Sequence, residues 1–316
     1  MEHNKNNPKA ILLILLGMTV FALQDTFIKL LSSSINIYLI YSVRCAVGLL
    51  VTVIYLKYNN IPIVYKTHYP LLTISRTICF FLGFSLYYFS LSKLSLPLAV
   101  TLFFVSPFFI TIFSMFIMKE KVGLRRWLAI SVGFLGVYLV MDPEFNNFNI
   151  YTLFPVICAI CYAFTVIIQK KTSDKDSLFS QILHIYLSAI IFSIIINLIL
   201  SNINFSLSTI AEYNFILMNW KISDYFSFLL LLLIGFTGVI GFFCLFGAYN
   251  IGSPASVAPF EYIIILWVLL ISFFLWGETL DQKGFIGLFL IIFAGIYTFL
   301  REAKLNRLIS IDKPLR

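Results

Sequence analysis

The chain has 316 residues, 60% of them hydrophobic and 11% charged, with a formal net charge of +8. Soluble domains are about 45–50% apolar and about 25% charged, so a mean hydropathy of +0.97 excludes a cytosolic enzyme, a disordered chain and a disulfide-stapled secreted module. The positive excess suits the inner loops of a membrane protein better than it suits a nucleic-acid partner.

Apolar runs occupy residues 10–31, 36–57, 69–91, 97–118, 124–141, 150–170, 178–200, 225–248, 254–276 and 284–300. Each is 17–24 residues long, which at about 1.5 Å per residue suits a hydrocarbon layer about 30 Å thick. None alternates as a lipid-facing barrel strand does, so the expected fold class is an all-α integral membrane protein with ten transmembrane helices. The first run is too long for the apolar core of a cleavable signal. With the N-terminus inside, sixteen Lys and Arg fall on the cytoplasmic side and three, Lys93, Lys221 and Lys283, on the other. This predicts both termini in the cytoplasm. Residues 201–224 form a longer outer segment in which Ile216–Trp220 predicts an interfacial helix.

The chain repeats itself. Pro97-Leu98-Ala99-Val100 through Lys119-Glu120 matches Pro254-Ala255-Ser256-Val257 through Gly277-Glu278 at an offset of 157–159. Phe21-Ala22 and Lys29 match Tyr162-Ala163 and Lys170 at 141, and Tyr38–Arg44 matches Leu178–His184 at 140. The expected domains are a tail at 1–9, five-helix repeats at 10–145 and 146–300, and a tail at 301–316. An odd number of spans per half turns the second half upside down, the inverted-repeat architecture of secondary transporters.

Those two Pro-Leu-Ala and Pro-Ala-Ser starts, Glu120 and Glu278 at the span ends, and the glycine-bearing spans after them resemble the drug/metabolite transporter superfamily, in its ten-helix EamA-type branch. The resemblance covers about 10–300. It implies a central cavity lined by the first, third, fourth, sixth, eighth and ninth spans, and transport of an organic metabolite.

Ionisable groups inside a span cost roughly 2.5–3.5 kcal/mol each on insertion scales, so each needs a reason. Five occur: Asp25, Lys29, Arg44, Arg76 and Glu261. Asp25 and Lys29, four apart on one helix face, form either a self-neutralising pair or a pair that opens onto a cavity. Arg44 and its repeat equivalent His184 fit gate contacts at opposite faces, or a snorkelling arginine and a packing histidine. Arg76 is a snorkelling side chain or an anion contact. Glu261, with apolar sequence following it, is a candidate proton carrier or cation contact. Glu120 and Glu278 sit at helix ends and read as caps or closures. Tyr87, Tyr88, Tyr162, Tyr262 and Trp267 combine a ring face with a polar handle and are candidate stacking groups.

No HExxH or GxSxG sequence, and no second Cys/His pair near Cys158-x-x-Cys161, supports an intramembrane enzyme. No symmetric ring of charges supports a channel. Gly235-x-x-Gly238-x-x-Gly241 reads as close helix packing or a hinge, not as a phosphate loop. The expectation is a secondary carrier without cofactor or metal, monomeric or dimeric, whose partners are the bilayer, a small-molecule substrate and a coupled proton or other ion, with no nucleic acid. Summed over the five intramembrane groups, a formal charge of +1 suits a zwitterion or anion bearing a carboxylate and a planar ring. Amino-acid derivatives, S-adenosylmethionine and flavins are of that kind.

Overall fold

The computed structural model describes residues 7–117, 119, 124–141, 149–203, 205–222, 224–251 and 258–311, and these contain no strand. In lipid, backbone groups find no water, so apolar runs satisfy them internally as helices. The order is α1 (Asn7–Leu31), α2 (Ile37–Tyr58), α3 (Pro70–Leu91), α4 (Leu96–Phe103), α5 (Ser106–Ile117) and α6 (Leu124–Met141), then α7 (Leu153–Thr172), α8 (Leu178–Ser201), α9 (Leu207–Glu212), α10 (Asn214–Leu217), α11 (Tyr225–Ile251), α12 (Ile263–Trp276) and α13 (Gln282–Ile311). A 3-10 turn over Ala258–Tyr262 leads into α12. Pro70 stands in the first turn of α3 and Pro97 in that of α4, where the missing N–H costs nothing.

Among the described residues, seven helical stretches are long and apolar enough to cross a membrane; Ser131–Val140, Phe260–Trp276 and Gln282–Ala294 are apolar but shorter. Large apolar side chains cover the outside, Leu71 at 81% and Phe274 at 78% exposure among them. Such a surface associates in water and is at rest in lipid, as befits a multi-pass membrane protein. Helices pair along their lengths as α1 with α11, α3 with α7, α2 with α8 and α6 with α13. At the last of these, Gly136 and Gly287 let two backbones touch: a Cβ on Gly136 would lie 2.7 Å from the Gly287 carbonyl oxygen.

Two expected spans differ from the sequence reading. The run 97–118 is not one helix but α4 and α5, divided at Phe104–Val105. Pro107 has no N–H to give the Phe103 carbonyl, so the helical ladder cannot run through unbroken. The run 254–276 begins its described part as the 3-10 turn, so Glu261 and Tyr262 lie before α12 rather than within it. Pro254–Val257 and Glu120 lie outside the described residues. The interfacial helix foreseen at Ile216–Trp220 is instead the pair α9 and α10, which ends at Leu217 and leaves Trp220 beyond it.

The two long connectors act as straps. Residues 59–69 lie on the α7–α8 loop. Thr67 Oγ1 and the His68 N–H both donate to the Asp176 carboxylate, the latter at 3.0 Å, and Tyr69 Oη donates to Asp174 at 2.8 Å. Residues 205–222 lie on the α1–α2 loop. There Asn36, which caps α2, donates from Nδ2 to the carbonyls of Ile216 and Met218 at 2.7 Å each.

Burial pushes the Asp176 carboxyl upward, but the hydrogen bonds from Thr67 and His68 outweigh it and hold the carboxyl below its ordinary value. Such a group binds fewer protons folded than unfolded, so its contribution is complete above the ordinary carboxylate range and is lost as pH falls through the folded value. Asp176→Asn should therefore flatten the thermal-unfolding midpoint of detergent-solubilised protein between about pH 5 and 3. An acid limb as steep as that of the parent chain would show that Asp176 carries no such linkage.

Candidate functional site

A cavity opens between α1, α2, α3, α4, α5, α7, α11, the 3-10 turn before α12 and the first turn of α12. It meets the expectation for the first, third, fourth, sixth, eighth and ninth spans and adds the second span, through Arg44. Half of its eighteen lining residues are aromatic, so most of the wall is ring face and ring edge. Phe84 is the hub, with ring centroids 4.6 Å from Phe80, 6.1 Å from Phe103 and 6.3 Å from Tyr162.

Three ionisable groups line this cavity: Asp25, Arg44 and Glu261. Asp25, 8% exposed, accepts from Tyr87 Oη at 2.9 Å. Arg44, 5% exposed, donates from Nη1 to Tyr88 Oη and stands 5.9 Å from the centroid of Phe242. No ion pair joins Asp25 to Arg44. The acid and the base are each held by one of two adjacent tyrosines of α3, and both remain in the cavity wall. Gly238 gives Arg44 its room, since a Cβ there would lie 3.1 Å from Nε.

The other predicted residues divide. Tyr87, Tyr88 and Tyr162 line the cavity. Tyr262 is buried behind the wall, its ring 5.2 Å from that of Phe104, a lining residue. Trp267 is 36% exposed on the outer surface of α12 and does not line the cavity, which corrects its reading as a stacking group. His184 is also elsewhere: its Nε2 donates to the Tyr65 carbonyl at 2.6 Å, so it holds the 59–69 strap. Arg76 does not snorkel. It is 1% exposed, binds Gln181 and borders a different, smaller cavity.

Lys29 corrects the expected Asp25–Lys29 pair. Its Nζ donates to both Glu278 carboxylate oxygens, at 2.7 and 2.8 Å, and to the Leu94 carbonyl at 3.1 Å. Glu278 does act at a helix end, but at that of another helix: it accepts from the Leu96 N–H at 3.3 Å, at the start of α4. A contact between residues 249 apart in sequence leaves no local signature. Gln24 was missed as well. Its Oε1 is buried without a partner, and the residue lines the cavity beside Asp25. A polar amide inside an apolar run was the available signal.

The charges within the central cavity therefore differ from the sum read along the sequence. Lys29 is neutralised by Glu278 and Arg76 faces elsewhere, so neither adds its charge to this wall. The sum of +1 read along the sequence therefore does not describe this cavity.

The EamA-like transporter family profile matches residues 8–142 and matches again over 149–300. The chain belongs to the EamA-like transporter family. Its relatives are named as transporters, not enzymes. One is the S-adenosylmethionine uptake transporter of Rickettsia prowazekii, 25% identical over 293 residues that cover 92% of each chain. Another is the riboflavin transporter of Vibrio cholerae, 25% identical over 66% of this chain and 64% of that one. A solved crystal structure shares the fold, with a TM-score of 0.62 at 15% identity, over 95% of this chain and 99% of that one.

The Lys29–Glu278 contact ties α1 to the loop after α12 and to the start of α4. The side chains are 10% and 28% exposed, so solvent screens the pair only in part. Lys29→Gln and Glu278→Gln should each lower stability in detergent by about 1–3 kcal/mol, and the double variant by clearly less than the sum. Strict additivity in thermal or denaturant unfolding would mean that the two side chains do not work as a pair.

Proposed function

We propose that this protein is a secondary transporter that binds a small zwitterionic metabolite of the S-adenosylmethionine class in the central cavity and moves it across a bacterial inner membrane by alternating access. The observation that carries the reading is the separation of charges on one aromatic wall. Arg44 stands ready for a carboxylate. Asp25 offers a carboxyl to a cationic centre, and the rings around Phe84 suit a planar heterocycle and an onium group. A sulfonium amino acid bearing a purine presents all three features: a carboxylate, cationic centres and a planar ring. The names of relatives that match most of the chain point the same way.

The architecture we infer is ten spans in two inverted five-helix halves, 10–145 and 146–300, with cytoplasmic tails at 1–9 and 301–316. Three observations support it. The break after α4 and the junction of the 3-10 turn with α12 fall at repeat-equivalent positions, 104/105 and 262/263, an offset of 158. The straps are reciprocal: Asn36 and Asp176, 140 apart, each hold the other half's connector. Discontinuous helices at matching positions of two halves mark substrate sites in such carriers. Lys29 and Glu278 have the sequence counterparts Lys170 and Glu120, so the residues of one clamp recur at the opposite face. In this reading Lys29–Glu278 closes the outer end, and Glu261 is the group that couples transport to a proton or other ion.

Equilibrium binding of labelled S-adenosylmethionine to purified protein tests the reading. Arg44→Gln and Glu261→Gln should each weaken binding about 10- to 100-fold, the range lost with one charge-assisted hydrogen bond. Riboflavin should compete poorly. Tight riboflavin binding with no S-adenosylmethionine binding, or full affinity in both variants, would overturn it.

A further inference from the structure

Gln24 lines the central cavity and is 2% exposed, and its Oε1 has no hydrogen-bond partner among the described residues. A buried acceptor left unpaired costs stability, so a glutamine at this position needs a reason that the empty protein does not supply.

The packing of α1 on α11 aims the side chain. Gly17, Phe21 and Gln24 lie on one face of α1, and that face meets the glycine run of α11. A Cβ on Gly17 would lie 3.0 Å from the Cys244 Cβ, one on Gly241 2.6 Å from the Phe21 ring, and one on Gly238 3.0 Å from Gln24 Oε1. The same point over Gly238 is 3.1 Å from Arg44 Nε, so Oε1 and Nε are no more than 6.1 Å apart, the sum of those two distances. No hydrogen bond joins them.

Arg44 Nη1 is engaged by Tyr88, which leaves the Nε edge of the guanidinium fork for a carboxylate. In an α-amino acid the carbon next to the carboxylate bears the ammonium group. A carboxylate seated on that edge therefore brings the ammonium into the reach of Gln24. An amide oxygen accepts from N–H and carries no charge. A carboxylate side chain this close to Arg44 would pair with the guanidinium and take the ligand's place, whereas a neutral acceptor does not compete. The last torsion of a glutamine side chain is broad, so Oε1 turns toward an incoming group while α1 stays seated on its glycines.

We infer that Gln24 is a specificity-determining residue: its Oε1 accepts from the α-ammonium of the ligand whose carboxylate Arg44 holds, so that the pair selects α-amino acids. Asp25, held by Tyr87, is left for a second cationic centre. The assignment rests on the zwitterionic substrate proposed above.

The test measures binding of S-adenosylmethionine, and of its analogue with hydrogen in place of the α-ammonium, to the purified full-length parent chain, Gln24→Met and Gln24→Glu. Methionine keeps the unbranched shape of glutamine without the acceptor. Gln24→Met should weaken the complete ligand about 10- to 100-fold, the range of one hydrogen bond to a charged group, and leave the deaminated analogue within about twofold of its parent affinity. Gln24→Glu should weaken both ligands despite the negative charge it adds, because its carboxylate occupies Arg44. Without ligand, Gln24→Met should melt in detergent at or above the parent midpoint, since no hydrogen bond of Oε1 is lost with the amide. Equal losses for the two ligands in Gln24→Met, tighter binding by Gln24→Glu, or a lower ligand-free midpoint for Gln24→Met would overturn the assignment. If the parent chain does not bind S-adenosylmethionine, the substrate reading falls and the assignment falls with it. Normal binding by the parent beside unaltered affinity in Gln24→Met overturns the assignment alone.

Discussion

Two neighbouring tyrosines keep two opposite charges apart. In a bundle of low dielectric an aspartate and an arginine on facing helices attract strongly, and a direct pair would leave the cavity electrically silent. Tyr87 donates to Asp25 and Tyr88 accepts from Arg44. Successive residues on a helix point about 100° apart, so adjacent hydroxyls of α3 serve groups on two different helices. Each charge gains a hydrogen bond that makes its burial tolerable, and neither is consumed by the other. The aromatic wall, the room above Gly238 and the recognition of a molecule carrying both signs all depend on that separation.

The short helix α4 links this wall to the ionic clamp. Its first residue donates its N–H to Glu278, itself held by Lys29, and its last residue, Phe103, lines the cavity. Eight residues make a rigid rod about 12 Å long. A ligand that shifts the Phe103 end is therefore in mechanical contact with the clamp, with Pro107 supplying the break that lets α4 move separately from α5. In a carrier this couples occupancy of the site to closure of one end, through one element with two attachments.

Much of this was legible in the sequence. Length, hydropathy and the distribution of Lys and Arg point to a helical membrane protein, and the cost of burying charge marks five groups, of which the fold brings Asp25, Arg44 and Glu261 to one cavity. Pro107 could have announced the division between α4 and α5. Other features could not be read. The partner of Lys29 lies 249 residues away, and helical spacing wrongly favoured Asp25. Trp267 and His184 have suitable chemistry for a site but face the outer surface and the strap, because the angular position of a residue on a uniformly apolar helix leaves no amphipathic trace. The charge sum failed for a related reason: it counted Lys29 and Arg76 as part of one cavity, which only the fold could exclude.

The central claim is that Arg44 meets the carboxylate of a bound zwitterion. It is tested most directly by a cycle that removes the carboxylate from the ligand and the guanidinium from the protein. S-Adenosylmethionine and its decarboxylated analogue are titrated against the parent chain and Arg44→Gln. The account predicts that the substitution weakens the complete ligand about tenfold or more and leaves the decarboxylated one nearly unchanged, the signature of two groups that interact with each other. Equal losses for both ligands would contradict it.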